Sequence, residues 1–96
     1  MATIDIRRAH NVGMDTAKAK AEELANDMKA KFDLDWSWEG DRIRFKSVGG
    51  VAKGTNGVVT VAPSEVRMEM DLPLLLRALK GKISSKVEEK LNELFG

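Results

Sequence analysis

The chain has 96 residues, 16 Lys and Arg against 15 Asp and Glu, one His and no Cys, with a net charge of +1. These counts exclude disulfides and thiolate metal sites, a His-rich metal centre, and any global charge-driven affinity for nucleic acid. With 43% hydrophobic and 32% charged residues the chain is globular rather than disordered, and its length predicts a single domain over residues 1–96 with one core, which the patterns below make α+β.

Thr3–Arg8 alternates, with Ile4 and Ile6 on one side and Thr3, Asp5 and Arg7 on the other, which predicts a strand with one buried face. His10-Asn11-Val12-Gly13 reads as a turn, and Asp15 as a helix N-cap. From Thr16 to Phe32 the period changes to helical: Ala17, Ala21, Leu24, Ala25, Met28 and Phe32 share a face. The alanines favour helix and allow close approach to a sheet. The charged start MATIDIRRAH lacks the apolar core of a signal peptide, and no apolar run approaches the ~20 residues of a membrane span. A cytoplasmic protein is expected.

A hairpin follows. Gly40-Asp41 is a two-residue turn signal. A tight turn there sets Trp38 opposite Ile43 and Trp36 opposite Phe45 on one face. The other face then pairs Glu39 with Arg42, Ser37 with Arg44 and Asp35 with Lys46. Val48–Gly57 carries four glycines and reads as a loop, Val58–Val61 as a strand, and Pro63-Ser64 as the turn into Val66–Leu72. That turn places Val61 opposite Val66, Val59 opposite Met68 and Gly57 opposite Met70.

Around Pro73 the period changes again: Leu72, Leu75, Leu76, Leu79 and Ile83 fit one helical face that continues through Val87, Leu91 and Leu94 or Phe95. Asp71 is placed to cap this helix, Gly81 weakens it by about 1 kcal/mol relative to Ala, and Ser85-Lys86-Val87-Glu88 resembles a capping box. A short helix, a kink or break near Lys80–Lys82 and a longer second helix are expected, with one continuous kinked helix as the alternative. The order is then β-α-β-β-β-β-α: an antiparallel-rich sheet with helices packed on one face and the other face polar.

No catalytic constellation stands out. His10 is not tied to a nucleophile or carboxylate by a recognisable spacing. Arg42, Arg44 and Lys46, with Arg7 and Arg67, form a basic stripe. Alternation puts Trp36 and Trp38 on the opposite face, so an aromatic platform for nucleic acid is not expected. The glycine-rich loop lacks the P-loop pattern. Trp36, Trp38, Met68 and Met70, with Met14 and Met28, are candidates for an apolar ligand pocket. Leu74, Leu75 and Leu76 cannot all face one sheet, so Leu74 is expected off the core, and Leu74, Leu75 and Leu79 are candidates for a partner surface or a homodimer contact.

Ile6-Arg7-Arg8-Ala9-His10-Asn11-Val12-Gly13, the Ala-rich helix, Trp38-Glu39-Gly40-Asp41 and Leu74-Leu75-Leu76 with Lys80-Gly81-Lys82-Ile83 together resemble the polyhydroxyalkanoic acid system family. These are small bacterial proteins associated with polyhydroxyalkanoate granule genes. The resemblance covers nearly the whole chain, although Gly49–Gly57 is longer and richer in glycine than the family's pattern. It implies a non-enzymatic accessory or regulatory protein that binds granules or granule proteins through apolar surface, and it brings no catalytic residue, cofactor or metal. The C-terminal part is also similar to the ending of helix-grip domains. That likeness implies an alternative: a reduced helix-grip carrying an acyl or other apolar ligand near Trp36 and Trp38.

Overall fold

The computed structural model describes residues 3–47, 49 and 53–95. The two-residue alternation of buried and exposed positions yields five strands: β1 (Ile4–Ala9), β2 (Asp35–Glu39), β3 (Arg42–Lys46), β4 (Asn56–Val61) and β5 (Glu65–Asp71). The helical repeats yield α1 (Met14–Phe32), a single turn α2 (Leu74–Arg77) and α3 (Lys80–Phe95). All strand pairs are antiparallel, in the spatial order β1-β5-β4-β3-β2. The helix α1 therefore carries the chain from one edge of the sheet to the other, and a meander returns it to β1.

Turn chemistry and face alternation together fix the register. Gly40 takes the positive φ of 62° that the tight turn demands, and Trp36↔Phe45 and Trp38↔Ile43 pair as the alternation requires. In the second hairpin, Val61↔Val66, Val59↔Met68 and Gly57↔Met70 follow from the Pro63-Ser64 turn. Gly57 is a requirement of packing: a Cβ there would lie 2.5 Å from Phe45 Cζ and run into the Glu69 carbonyl oxygen. The glycine lets the phenyl ring lie against bare backbone.

One face of the sheet is dry. Ile4, Ile6, Ile43, Phe45, Val59, Val66, Met68 and Met70 form one core with Ala17, Ala21, Leu24 and Met28 of α1 and with Ile83, Val87, Leu91 and Leu94 of α3. Each fully buried large side chain among these contributes about 1.5–3 kcal/mol of transfer free energy. The opposite face carries Asp5, Arg7, Arg42, Arg44, Lys46, Asp35 and Glu39, all exposed to solvent.

The helix ends differ from the sequence expectation. The N-cap of α1 is Gly13, without a side-chain cap, and Asp15 sits inside the first turn, where its charge complements the helix dipole. At the other end, Asp33 closes α1 in the left-handed conformation, its N–H donating to the Lys29 carbonyl at 2.9 Å. Asp71 ends β5 instead of capping a helix, and Pro73 is the N-cap of α2. The C-terminal break falls at Ala78–Leu79, ahead of Gly81. There the Leu79 N–H bonds the Leu76 carbonyl three residues back, and the Ile83 N–H starts a new helix on the Leu79 carbonyl, both at 2.9 Å. Gly81 is an exposed first-turn residue of α3 with open space where a Cβ would sit. First-turn N–H groups lack intrahelical partners in any case, so a glycine there does not end the helix. Ser85 lies well inside α3, so the capping-box pattern marks no helix start. Strand β4 begins at Asn56, two residues ahead of the expected Val58. Residues 48 and 50–52 of the expected loop lie outside the described residues.

Candidate functional site

The residues singled out in the sequence fall into three places. Met68 and Met70 are fully buried, at 0% and 1% exposure, and present nothing to a partner. Met28 is also core, whereas Met14 is half-buried against it.

Trp36 and Trp38 sit half-buried on the edge strand β2 and are pinned to α1. The Trp38 Nε1–H donates to Glu22 Oε1 at 2.6 Å, and the Trp36 Nε1–H to Asn26 Oδ1 at 3.2 Å. The match is geometric. Four helical residues rise about 6 Å, and two strand residues advance about 6.6 Å, so an i, i+4 pair on α1 meets an i, i+2 pair on the antiparallel β2. Lys18 completes the latch: its ammonium lies 5.7 Å from the Trp38 ring centroid and 2.7 Å from Asp41 Oδ1. Glu22 and Asn26 stand four apart in the sequence, but nothing there marks them as indole partners.

Among the described residues, two gaps between sheet and helices are small. A gap lined by Phe32, Thr55, Met70, Leu72, Leu76 and Ile83 holds about 10 Å³, and another between α1 and α3, beside Leu24, Met28 and Val87, is of the same size. Each is about the volume of one water, whereas sites for ligands of drug size occupy ≈ 300–1,000 Å³. The large hollow lies on the other, solvent-facing side of the sheet: about 750 Å³, wide open, and lined by polar and charged groups such as Ser37, Arg44, Lys46 and Glu69.

On that outer face the basic stripe is largely ion-paired. Arg67 grips Asp5 with two bonds, Nε to Oδ1 at 3.0 Å and Nη2 to Oδ2 at 2.7 Å, and also lies 3.5 Å from Glu69. The hydrogen bond from Arg67 holds the Asp5 carboxyl below its ordinary value, and the same bond raises the Arg67 guanidinium. Arg7 reaches Glu65 at 3.9 Å. Arg44 pairs diagonally with Glu39 at 2.7 Å, although the residue directly across from Glu39 is Arg42. Exposed pairs of this kind contribute little each. Arg8 points to the core side of the edge strand β1, half-buried, with its Nε lacking a hydrogen-bond partner among the described residues. An inward charge on an edge strand discourages pairing with a second chain.

His10 ties elements together. Its Nε2 lies 2.8 Å from the Ala62 carbonyl oxygen, which can only accept, so Nε2 carries the proton. Nδ1 then accepts from the Val12 N–H at 3.4 Å. The ring packs 5.6 Å from that of Phe95 and joins the end of β1 to the β4–β5 turn and α3. Among the described residues no group of three or more His, Cys, Asp or Glu is placed to hold a metal ion, and no helix is long and apolar enough to cross a membrane.

The third place is the end built by α2 and the start of α3. Leu74 is 78% exposed and Leu79 47% exposed. Leu79 thus leaves the buried row in which the periodicity put it, because the tightened turn at Leu76–Leu79 shifts the helical phase. Leu76 is half-buried against the core, and the Leu75 side chain lies outside the described part of the structure. Arg77 folds back so that its Nε–H bonds the Leu72 carbonyl at 3.3 Å. The same stretch of chain carries the exposed Arg77, Lys80, Lys82 and Lys86, and no acidic residue occurs in the sequence from Leu72 to Val87. The sequence carried this signal in plain form, as a run of sixteen residues with only positive charges.

Residues 4–95, nearly the whole chain, match the family model described as "Putative polyhydroxyalkanoic acid system protein". No curated protein matches the sequence.

Proposed function

We propose that this chain, which belongs to the polyhydroxyalkanoic acid system family, is a non-enzymatic accessory or regulatory protein of polyester storage. It acts by docking on granules, or on proteins that coat them, through the apolar end formed by Leu74 and Leu79. The protein works in the cytoplasm at the granule surface.

One observation carries this reading. The two leucines expose a larger fraction of their surface than any other large apolar side chain among the described residues, one at the start of α2 and the other in the break that follows it. Leaving a leucine in water forgoes about 1.5–3 kcal/mol of burial free energy, which docking recovers. Two further facts support binding over chemistry: both ring nitrogens of His10 are occupied by backbone groups, and the two gaps under the helices, each about 10 Å³, do not take an acyl chain.

The test is co-sedimentation with isolated polyhydroxyalkanoate granules. Wild-type protein is expected in the granule fraction. Leu74→Asp is expected to remain soluble while keeping its far-UV circular dichroism, because the replaced side chain is outside the core. Wild-type protein staying wholly in the supernatant contradicts the reading.

A further inference from the structure

We infer that the surface this end docks on is an anionic lipid surface, with Leu74 and Leu79 entering its outer layer and Arg77, Lys80, Lys82 and Lys86 engaging its headgroups. The inference deepens the docking role proposed for these leucines and rests on it. Three observations carry the added step.

The first is charge segregation. The whole chain has a net charge of +1, yet Leu72–Val87 holds four basic residues and no acidic one, so the rest of the molecule is net negative. Within α3 the basic residues Lys80, Lys82 and Lys86 fill the first half, and Glu88, Glu89 and Glu93 dominate the second. Lys53 adds to the basic end, since the Gly54 beside it packs on Pro73, at 3.3 Å from where a Cβ would stand.

The second is that this charge order opposes the fold. A helix N-terminus is the positive end of its dipole and favours acidic neighbours. The first turn of α3 contains no acidic residue and holds Lys80 and Lys82, while the last turn contains no basic one. The helix α1 on the same sheet does the reverse, with Asp15 in its first turn and Lys29 and Lys31 in its last. The lysines of α3 are therefore not there for helix stability. An external negative charge accounts for them.

The third is shape. Leu74 and Leu79 project outward, and the hollow behind α2 holds only about 10 Å³. That gap is too small to receive a partner's side chain. Short apolar knobs flanked in the chain by long cationic side chains suit a deformable surface that closes around them, as interfacial helices combine apolar and basic residues. A folded acidic protein would need its own pocket shaped to these knobs.

The experiment is vesicle sedimentation with the full chain. It compares vesicles of phosphatidylcholine and phosphatidylglycerol in equal parts with vesicles of phosphatidylcholine alone. Binding is expected to the mixed vesicles only and to fall steeply between 0.05 and 0.5 M salt, as screening shortens the reach of each charge to about 4 Å. Each Lys or Arg near an anionic surface is worth roughly fivefold in affinity, so Lys80→Gln and Lys82→Gln together should weaken binding more than tenfold. Leu74→Ser should weaken it about tenfold. All these side chains are exposed, so the variants are expected to fold, with circular dichroism as the check. Equal binding to both vesicles, or full binding by the lysine variant, overturns the inference, as does capture by an acidic protein with no vesicle binding. Granule co-sedimentation separates the two readings. Granule binding that ignores salt and the lysine substitutions leaves the docking role standing and removes the lipid. Vesicle binding without granule binding does the opposite.

Discussion

The two long helices, α1 and α3, cover the same face of one sheet and are built on opposite plans. In α1 the charges agree with the fold. Asp15 and the pair Lys29 and Lys31 complement the dipole, Lys31 bridges Asp27 at 3.2 Å, and Glu22 and Asn26 hold the indoles of Trp38 and Trp36. In α3 the buried row Ile83, Val87, Leu91 and Leu94 is as regular, but the charges run against the dipole, and the approach from α2 leaves Leu74 and Leu79 in water. The contrast separates two uses of sequence. One helix is optimised for holding the sheet. The other carries features that stability alone does not select, and these mark the working end.

The contrast is sharpest where a leucine is truncated on each side. Leu24 in α1 is fully buried, so Leu24→Ala should lower stability in urea by about 2–5 kcal/mol. Leu74→Ala should change it by no more than about 0.5 kcal/mol and yet weaken docking. A smaller effect tests the α1 latch. Trp38→Phe keeps the aromatic pairing with Ile43 but leaves Glu22 without its donor, and should lose about 1 kcal/mol. An unchanged urea midpoint would show that the indole bond adds nothing to the edge strand. The smallest effect has the opposite sign. Gly81→Ala places a methyl in open space in a helix that gains from Ala, so stability should rise by about 0.4–1 kcal/mol. A fall would mean that the α2–α3 junction needs the freedom of glycine.

Much of this was legible in the residues. Both hairpin registers follow from turn chemistry at Gly40-Asp41 and Pro63-Ser64 combined with two-residue alternation, because a slip by one residue would move Trp36, Trp38, Met68 and Met70 into water. The pairing of β1 with β5 was not legible. Ile4 and Met70 meet across most of the chain, and no local pattern encodes a partner so distant. The C-terminal break was expected at Gly81 on propensity. It occurs at Leu79, where a hydrogen bond to the third residue back shifts the phase and turns that side chain outward. Of the candidate site, Leu74 was readable, since three consecutive leucines exceed what one sheet can cover. In the sequence the indoles are only candidates for an apolar pocket, because apolar periodicity does not disclose that Glu22 and Asn26 accept their N–H groups. The cationic run from Arg77 to Lys86 stood in the sequence without meaning until the fold left it exposed in the same stretch as two exposed leucines.

The most direct test pairs stability with binding in a single variant, Lys80→Glu with Lys82→Glu. Both positions lie in the first turn of α3 and are exposed. Acidic residues there complement the helix dipole by about 0.3–1 kcal/mol each. The urea midpoint should therefore hold or rise while sedimentation with anionic vesicles and with granules is lost. A midpoint that falls, or binding that survives the charge reversal, would contradict the division of the molecule into a holding helix and a working one.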